Sequence, residues 1–202
     1  MVEAQRSSST LPSPNTLVDW VINGRSQLVI ELFEKMGSTS PRLDWEPAPE
    51  AFESDYLREL NDYWHTLADG KTPPRSSFYP EHVAYILGSL CTIDLVEETD
   101  SLHYRLYGSA IAERYGRDLT GTVINESAES LTRFFAASFR GALDKGLPLY
   151  TRYLPPLESP VKDCQRLILP FADEGGEARH LVIAHLPYRP PMGSIARGIS
   201  LR

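Results

Sequence analysis

The run Leu102–Gly121, LHYRLYGSAIAERYGRDLTG, constrains this chain more than any other stretch. Leu102 to Tyr107 contains two tyrosines and two leucines, a composition that favours an extended strand. Gly108 breaks the run. Ser109 is of the type that caps a helix, and AIAERYG supplies one or two helical turns. Arg117-Asp118-Leu119-Thr120-Gly121 then turns the chain and closes on glycine, where a positive φ costs little. Strand, glycine, short helix, bend and renewed helix imply an α+β domain.

The flanking segments extend that order. Apolar residues Leu17, Val18, Val21 and Ile22, then Leu28, Val29, Leu32, Phe33 and Met36, recur at helical spacing over Thr16–Met36, with Asn23-Gly24 placed to bend or split the helix. Such a helix needs its apolar stripe buried, on its own domain or on a partner chain. Gly37 to Pro49 carries three prolines and reads as a linker. Phe52, Tyr56, Leu60, Trp64 and Leu67 form the stripe of a helix over Glu50–Asp69, ended by Gly70 and Pro73-Pro74. Pro80–Leu87 reads as a short helix, and Leu90–Val96 as a strand that makes a hairpin with Leu102–Tyr107.

Beyond Gly121, Leu131, Phe134, Phe135, Ser138 and Leu143 follow a 3.6 period that closes at Lys145-Gly146. Leu149–Leu154 and Cys164–Phe171 read as strands around a proline-rich connection, and Asp173–Glu177 as a hairpin turn into a last strand, Arg179–Leu186. The expected fold is a five-stranded antiparallel sheet, with helices inserted after its second strand and lying on one face. The expected organisation is a tail over 1–15, a helix and linker over 16–48, a domain over 49–188 and a tail over 189–202.

Tyr104-Arg105-Leu106-Tyr107-Gly108, followed by Gly116-Arg117-Asp118-Leu119-Thr120-Gly121, resembles a bacterial family of short stand-alone PAS proteins. The resemblance runs from Tyr63-Trp64 through Pro74-Arg75, Phe78 and Pro80 to Tyr188. It implies a non-catalytic sensory protein whose helices arch over the sheet and leave a cavity for a small molecule. Tyr107, Ile111, Tyr115, Phe135 and Phe139 are the residues placed to line it, and the same side chains would otherwise simply fill the core. Regular alternation would put Arg105 on the same side as Tyr107, so Arg105 is expected to point inward and to need an acid, a carbonyl or an anionic ligand as partner. Simple hydrophobicity instead favours Leu102, Tyr104 and Leu106 inward, so both faces of the sheet have to be covered.

The resemblance also bears on cofactors. Light-sensing members carry a reactive cysteine in the bend after the short helix, where this chain has Gly116-Arg117-Asp118-Leu119. Haem-binding members need an axial histidine on the long helix, and Asn125–Lys145 contains none. The cofactor therefore stays unknown. No output module is visible, so signalling is expected to pass by docking to a protein partner or by homodimerisation through the Thr16–Met36 helix.

The remaining features narrow the classes. A net charge of −7 argues against a nucleic-acid footprint, and Arg114, Arg117, Arg133 and Arg140 read as a solvated helix face. Two cysteines, Cys91 and Cys164, without CxxC spacing indicate a reduced, cytoplasmic protein, with no signal peptide and no apolar run long enough to span a bilayer. The five histidines are scattered and set out no metal site. An enzyme using Ser109, Arg105 and a histidine such as His185 is the alternative from another class, and a ligand-free structural adaptor is a third.

Overall fold

The computed structural model of the protein describes residues 12–35, 37–39, 41–126, 131–154 and 164–187. Its longest apolar strand sits where composition puts it. Cys164–Ala172 (β5) reads CQRLILPFA and is buried at every position, as expected of a central strand covered on both faces. Beside it lie Arg42–Trp45 (β1), Leu90–Val96 (β2), Ser101–Tyr107 (β3), Leu149–Tyr153 (β4) and Ala178–Leu186 (β6), in the order β1-β4-β5-β6-β2-β3. Every pairing is antiparallel. The architecture is the expected α+β one, with a sixth strand added. That strand, β1, lies in the stretch expected to be a linker, and pairs Trp45 with Leu149 and Arg42 with Arg152.

The helices that follow β3 lie on one face of the sheet, as expected, and the helix that precedes β2 covers the other. Asp55–Leu67 (α3) and the short 3-10 turns around Pro49–Ala51, Arg75–Ser77 and Pro80–Val83 lie on one side. Their Phe52, Leu57, Leu60, Trp64, Phe78 and Val83 pack with Tyr150, Leu167, Leu169, Phe171, Val182 and Ala184 of the sheet. The buried Trp64 indole donates to the Pro170 carbonyl at 2.7 Å, so its N–H is satisfied where water is excluded. The short helix expected from Pro80 is of the 3-10 type and spans Pro80–Val83.

The opposite face carries Leu131–Lys145 (α5) and, above it, Pro14–Ile22 (α1) and Ser26–Lys35 (α2). Ser13 caps α1 by accepting from the Thr16 amide, Pro14 occupies the first turn, and Gly24 at φ 63° separates the helices at the expected Asn23-Gly24 break. The amphipathic N-terminal stretch therefore folds back on its own domain: Leu17, Val21, Val29 and Phe33 are all buried. Being sandwiched between sheet and α1, α5 is buried around most of its circumference and is rich in small residues. At Gly141 α1 comes close, since a Cβ there would lie 3.3 Å from Ile22 Cγ1.

Two local features shape the other end of this face. β3 bulges opposite the Thr92/Ile93 step, so that Tyr107 pairs with Cys91 and Tyr104 with Ile93. The extra residue resets the alternation, which is why Tyr104 and Tyr107 both face inward while Arg105 and Leu106 are exposed. The inward placement expected for Arg105 is thereby corrected. After β3, Ser109–Tyr115 (α4) begins with Gly108, not Ser109, as its cap, and ends at Gly116 with φ 70°. Thr120 donates to Asp118 Oδ1 through its amide and its hydroxyl, and the same hydroxyl accepts from the Tyr107 amide. The chain then runs back along the edge of β3, where the amides of Tyr104, Gly121 and Ile124 donate to Thr122, Tyr104 and Leu102 carbonyls.

No helix among the described residues is long and apolar enough to cross a membrane. Of the tail expected over 1–15, residues 1–11 fall outside the described residues, while Ser13 to Asn15 cap and begin α1 instead; the tail expected over 189–202 and the connection around 155–163 also fall outside them.

Candidate functional site

Between the sheet and the α4/α5 layer lies a cavity of about 330 Å³. Its floor is formed by Cys91 of β2, Tyr104 and Tyr107 of β3, Arg166 of β5, and Ile183 and His185 of β6. α4 contributes Tyr115, α5 contributes Phe135 and Phe139, and the returning segment from Leu119 to Asn125 forms the rim. Four of the six expected ligand-binding residues, Tyr107, Tyr115, Phe135 and Phe139, thus converge on one space. Ile111 does not line it and is fully buried in the hydrophobic core, while Arg105 lies outside on the exposed side of the bulge.

The residue that sequence reasoning missed is Arg166. It is only 7% exposed, its guanidinium carbon stands 3.6 Å from the Phe135 ring centroid, and Nη1 is buried with no hydrogen-bond partner. Tyr153 flanks it, with its ring centroid 5.9 Å away. Among the described residues no carboxylate forms an ion pair with it. A guanidinium stays protonated at any working pH, so this is a buried positive charge, stacked on an aromatic face and without a carboxylate partner among the described residues. The signal was present in β5, whose polar Arg166 interrupts a run that is otherwise mostly apolar.

The groups around Arg166 are held neutral. Burial pushes the Tyr107 phenol up to about 12 and the Cys91 thiol up to about 11. Burial raises Tyr104, Tyr115 and Tyr153 further still. His185 is driven well below its ordinary value by burial, then by the charges of Arg166 and Arg114, so it is neutral at physiological pH. Its Nε2 is shared between the Tyr115 hydroxyl, at 3.0 Å, and the Cys164 sulfur.

These contacts separate the residues of the enzymatic alternative. His185 engages Tyr115 and Cys164 in the interior, whereas Ser109 and Arg105 are exposed. Among the described residues no group of three or more His, Cys, Asp or Glu is placed to hold a metal ion.

A family profile described as "PAS domain" matches residues 52–182, about two thirds of the chain. The chain belongs to the PAS-domain family. No curated protein matches this PAS domain. Among solved structures it is similar to one titled "Structure of an RNA-binding Light-Oxygen-Voltage Receptor", at 11% identity and a TM-score of 0.40. That match covers 86% of this chain and 53% of the other, so this chain spans about half the length of that protein.

In this PAS domain the cavity is roofed by a helix whose far side carries the N-terminal helices. Phe33 of α2 lies edge-on to Phe134 of α5 at 4.8 Å and to Tyr153 of β4 at 5.5 Å. Tyr153 in turn stands 5.8 Å from Phe135. A continuous aromatic cluster therefore joins the wall of the cavity to α2.

Proposed function

We propose that this PAS domain is a sensory protein in which a small molecule in the cavity sets how α1 and α2 pack, and that a protein partner or a second copy reads the difference. One observation carries the reading: Phe135 of the cavity wall and Tyr153 beside it flank Arg166, and Phe33 meets Tyr153 from the N-terminal side. A ligand that moves Tyr153 is felt by Phe33 of α2 directly, and one that moves Phe135 is felt through Tyr153 or Phe134; packed aromatic cores repack in discrete steps rather than yielding smoothly.

The energetics are within reach of a small ligand. Biasing two packings requires a ligand to favour one over the other by about 1–3 kcal/mol, the usual scale of coupling between sites. The N-terminal helices are held by a few buried side chains, including Leu17, Val21, Val29 and Phe33, each contributing about 1.5–3 kcal/mol. The open cavity supports this reading over that of an adaptor with a filled core.

Native mass spectrometry of freshly purified protein, beside a denatured control, tests it. The expected result is a non-covalent mass that is lost on denaturation. A clean ligand-free mass, unchanged by incubation with cell extract metabolites, would contradict ligand sensing.

A further inference from the structure

We infer that the ligand is a small organic acid, its carboxylate seated on Arg166 and its apolar body lying against Tyr104, Phe139 and Ile183. This rests on the ligand-sensing reading above and names the class of molecule it requires.

The inference starts from a donor without an acceptor. Arg166 is 93% buried in the sense that only 7% of it is exposed, and Nη1 meets no hydrogen-bond partner. Stacking on Phe135 covers one face of the guanidinium but accepts none of its in-plane N–H groups. A buried cation left in this condition is unfavourable unless something supplies negative charge and acceptor oxygens. The Tyr153 hydroxyl accepts from the guanidinium but brings no charge, and among the described residues of the lining nothing supplies one: Tyr104, Tyr107 and Tyr115 are kept protonated by burial, and His185 is neutral. A carboxylate matches the guanidinium fork in both shape and charge.

Charge and size choose among anions. Arg166 is the buried cation of the lining, and Arg117 stands exposed at the rim. One buried positive charge balances a monoanionic carboxylate, while a phosphate dianion would bring a second charge among Phe139, Ile183 and neutral phenols. The volume of about 330 Å³ sits at the small end of ligand pockets, which run from about 300 to 1,000 Å³, and suits an aromatic or short branched acid better than a nucleotide.

Thermal unfolding of the full chain with sodium phenylacetate, phenylacetamide or sodium phosphate as probes tests this. Phenylacetate should raise the unfolding temperature at concentrations about tenfold or more below those at which the amide or phosphate acts. Arg166→Met should lose the phenylacetate response. Arg166→Lys, which keeps the charge but not the fork, should weaken it, and carries the comparison if the Met variant does not fold. An equal response to acid and amide, or a response that survives in both variants, would overturn the inference and leave ligand sensing standing. A response to phosphate alone, or to none of the three probes, would also overturn it. Ligand sensing itself falls only with the native mass measurement.

Discussion

The Arg166 guanidinium carbon on β5 stands 3.6 Å from the centroid of Phe135 on α5, so the floor of the cavity and its roof meet through a cation stacked on a ring. This contact places a buried charge of the lining, without a carboxylate partner among the described residues, directly against the helix that supports the N-terminal layer. Whatever neutralises Arg166 changes the electrostatic environment of that stack, and α5 is where the change enters the rest of the fold.

The N-terminal layer depends on close approach at Gly141. A Cβ at this position lies 3.3 Å from Ile22 Cγ1, 3.5 Å from Val21 Cγ1 and 3.6 Å from Trp45 Cη2, so a longer side chain has no room while α1 is seated. Gly141→Leu should destabilise the protein by about 1–3 kcal/mol and loosen α1 selectively. Chemical denaturation gives the first quantity. Hydrogen exchange gives the second, as faster exchange in α1 than in β5.

The rim of the cavity is held by a clasp. Arg140 of α5 donates to both carboxylate oxygens of Glu126, and also to the side chain and carbonyl of Asp100 in the β2–β3 turn. Arg140→Gln should cost about 1.5–3 kcal/mol, because charge-assisted bonds at a half-buried site are lost together. Faster exchange at the Gly121 and Ile124 amides, with the amides of β5 unchanged, is the expected signature.

Much of this arrangement is legible in the residues. The Gly108 and Gly116–Gly121 punctuation specifies the strand, short helix and bend, and the helical period of Leu131–Leu143 marks α5. Tyr107, Tyr115, Phe135 and Phe139 follow from those elements by position. Arg105 and Arg166 do not. Regular alternation sends Arg105 inward, but the β-bulge opposite Thr92/Ile93 is set by how β2 and β3 match, which neither strand states alone. Arg166 looks like any charged residue near a strand end until α5 and β4 are seen closing over it. β1 is hidden for a related reason: four residues between prolines become a strand only because β4, far along the chain, offers an edge.

Gly108 is required by space, not by φ. Its φ of −59° suits any residue, but an added Cβ would press on the carbonyl oxygens of Gly88 and Leu90. Gly108→Ala should therefore be severely destabilising, by about 4 kcal/mol or more, whereas the exposed neighbour Ser109→Ala should stay within about 0.5 kcal/mol. Comparing the two midpoints of denaturation separates a packing demand at residue 108 from a general sensitivity of the α4 start.

Stability should fall with acidification across the range where histidines titrate. His185 is held neutral in the folded state, its value depressed by burial and then by Arg166 and Arg114 from an ordinary 6.5. The unfolded chain binds a proton at about 6.5 while the folded protein does not. The contribution of His185 is thus fully present above about pH 6.5 and is lost as pH falls from there towards its folded value. The bond from His180 holds the Asp94 carboxyl below the ordinary carboxylate value, a contribution lost only in stronger acid. His185→Gln should flatten the slope of unfolding temperature against pH between about 5 and 6.5.

The coupling of cavity to N-terminal helices is tested most directly by hydrogen exchange of the full chain with and without saturating sodium phenylacetate. The expected result is slower exchange in α1 and α2 together with α5 when the probe is present. Exchange in α1 and α2 that stays the same, whether or not the cavity wall changes, would contradict the coupling.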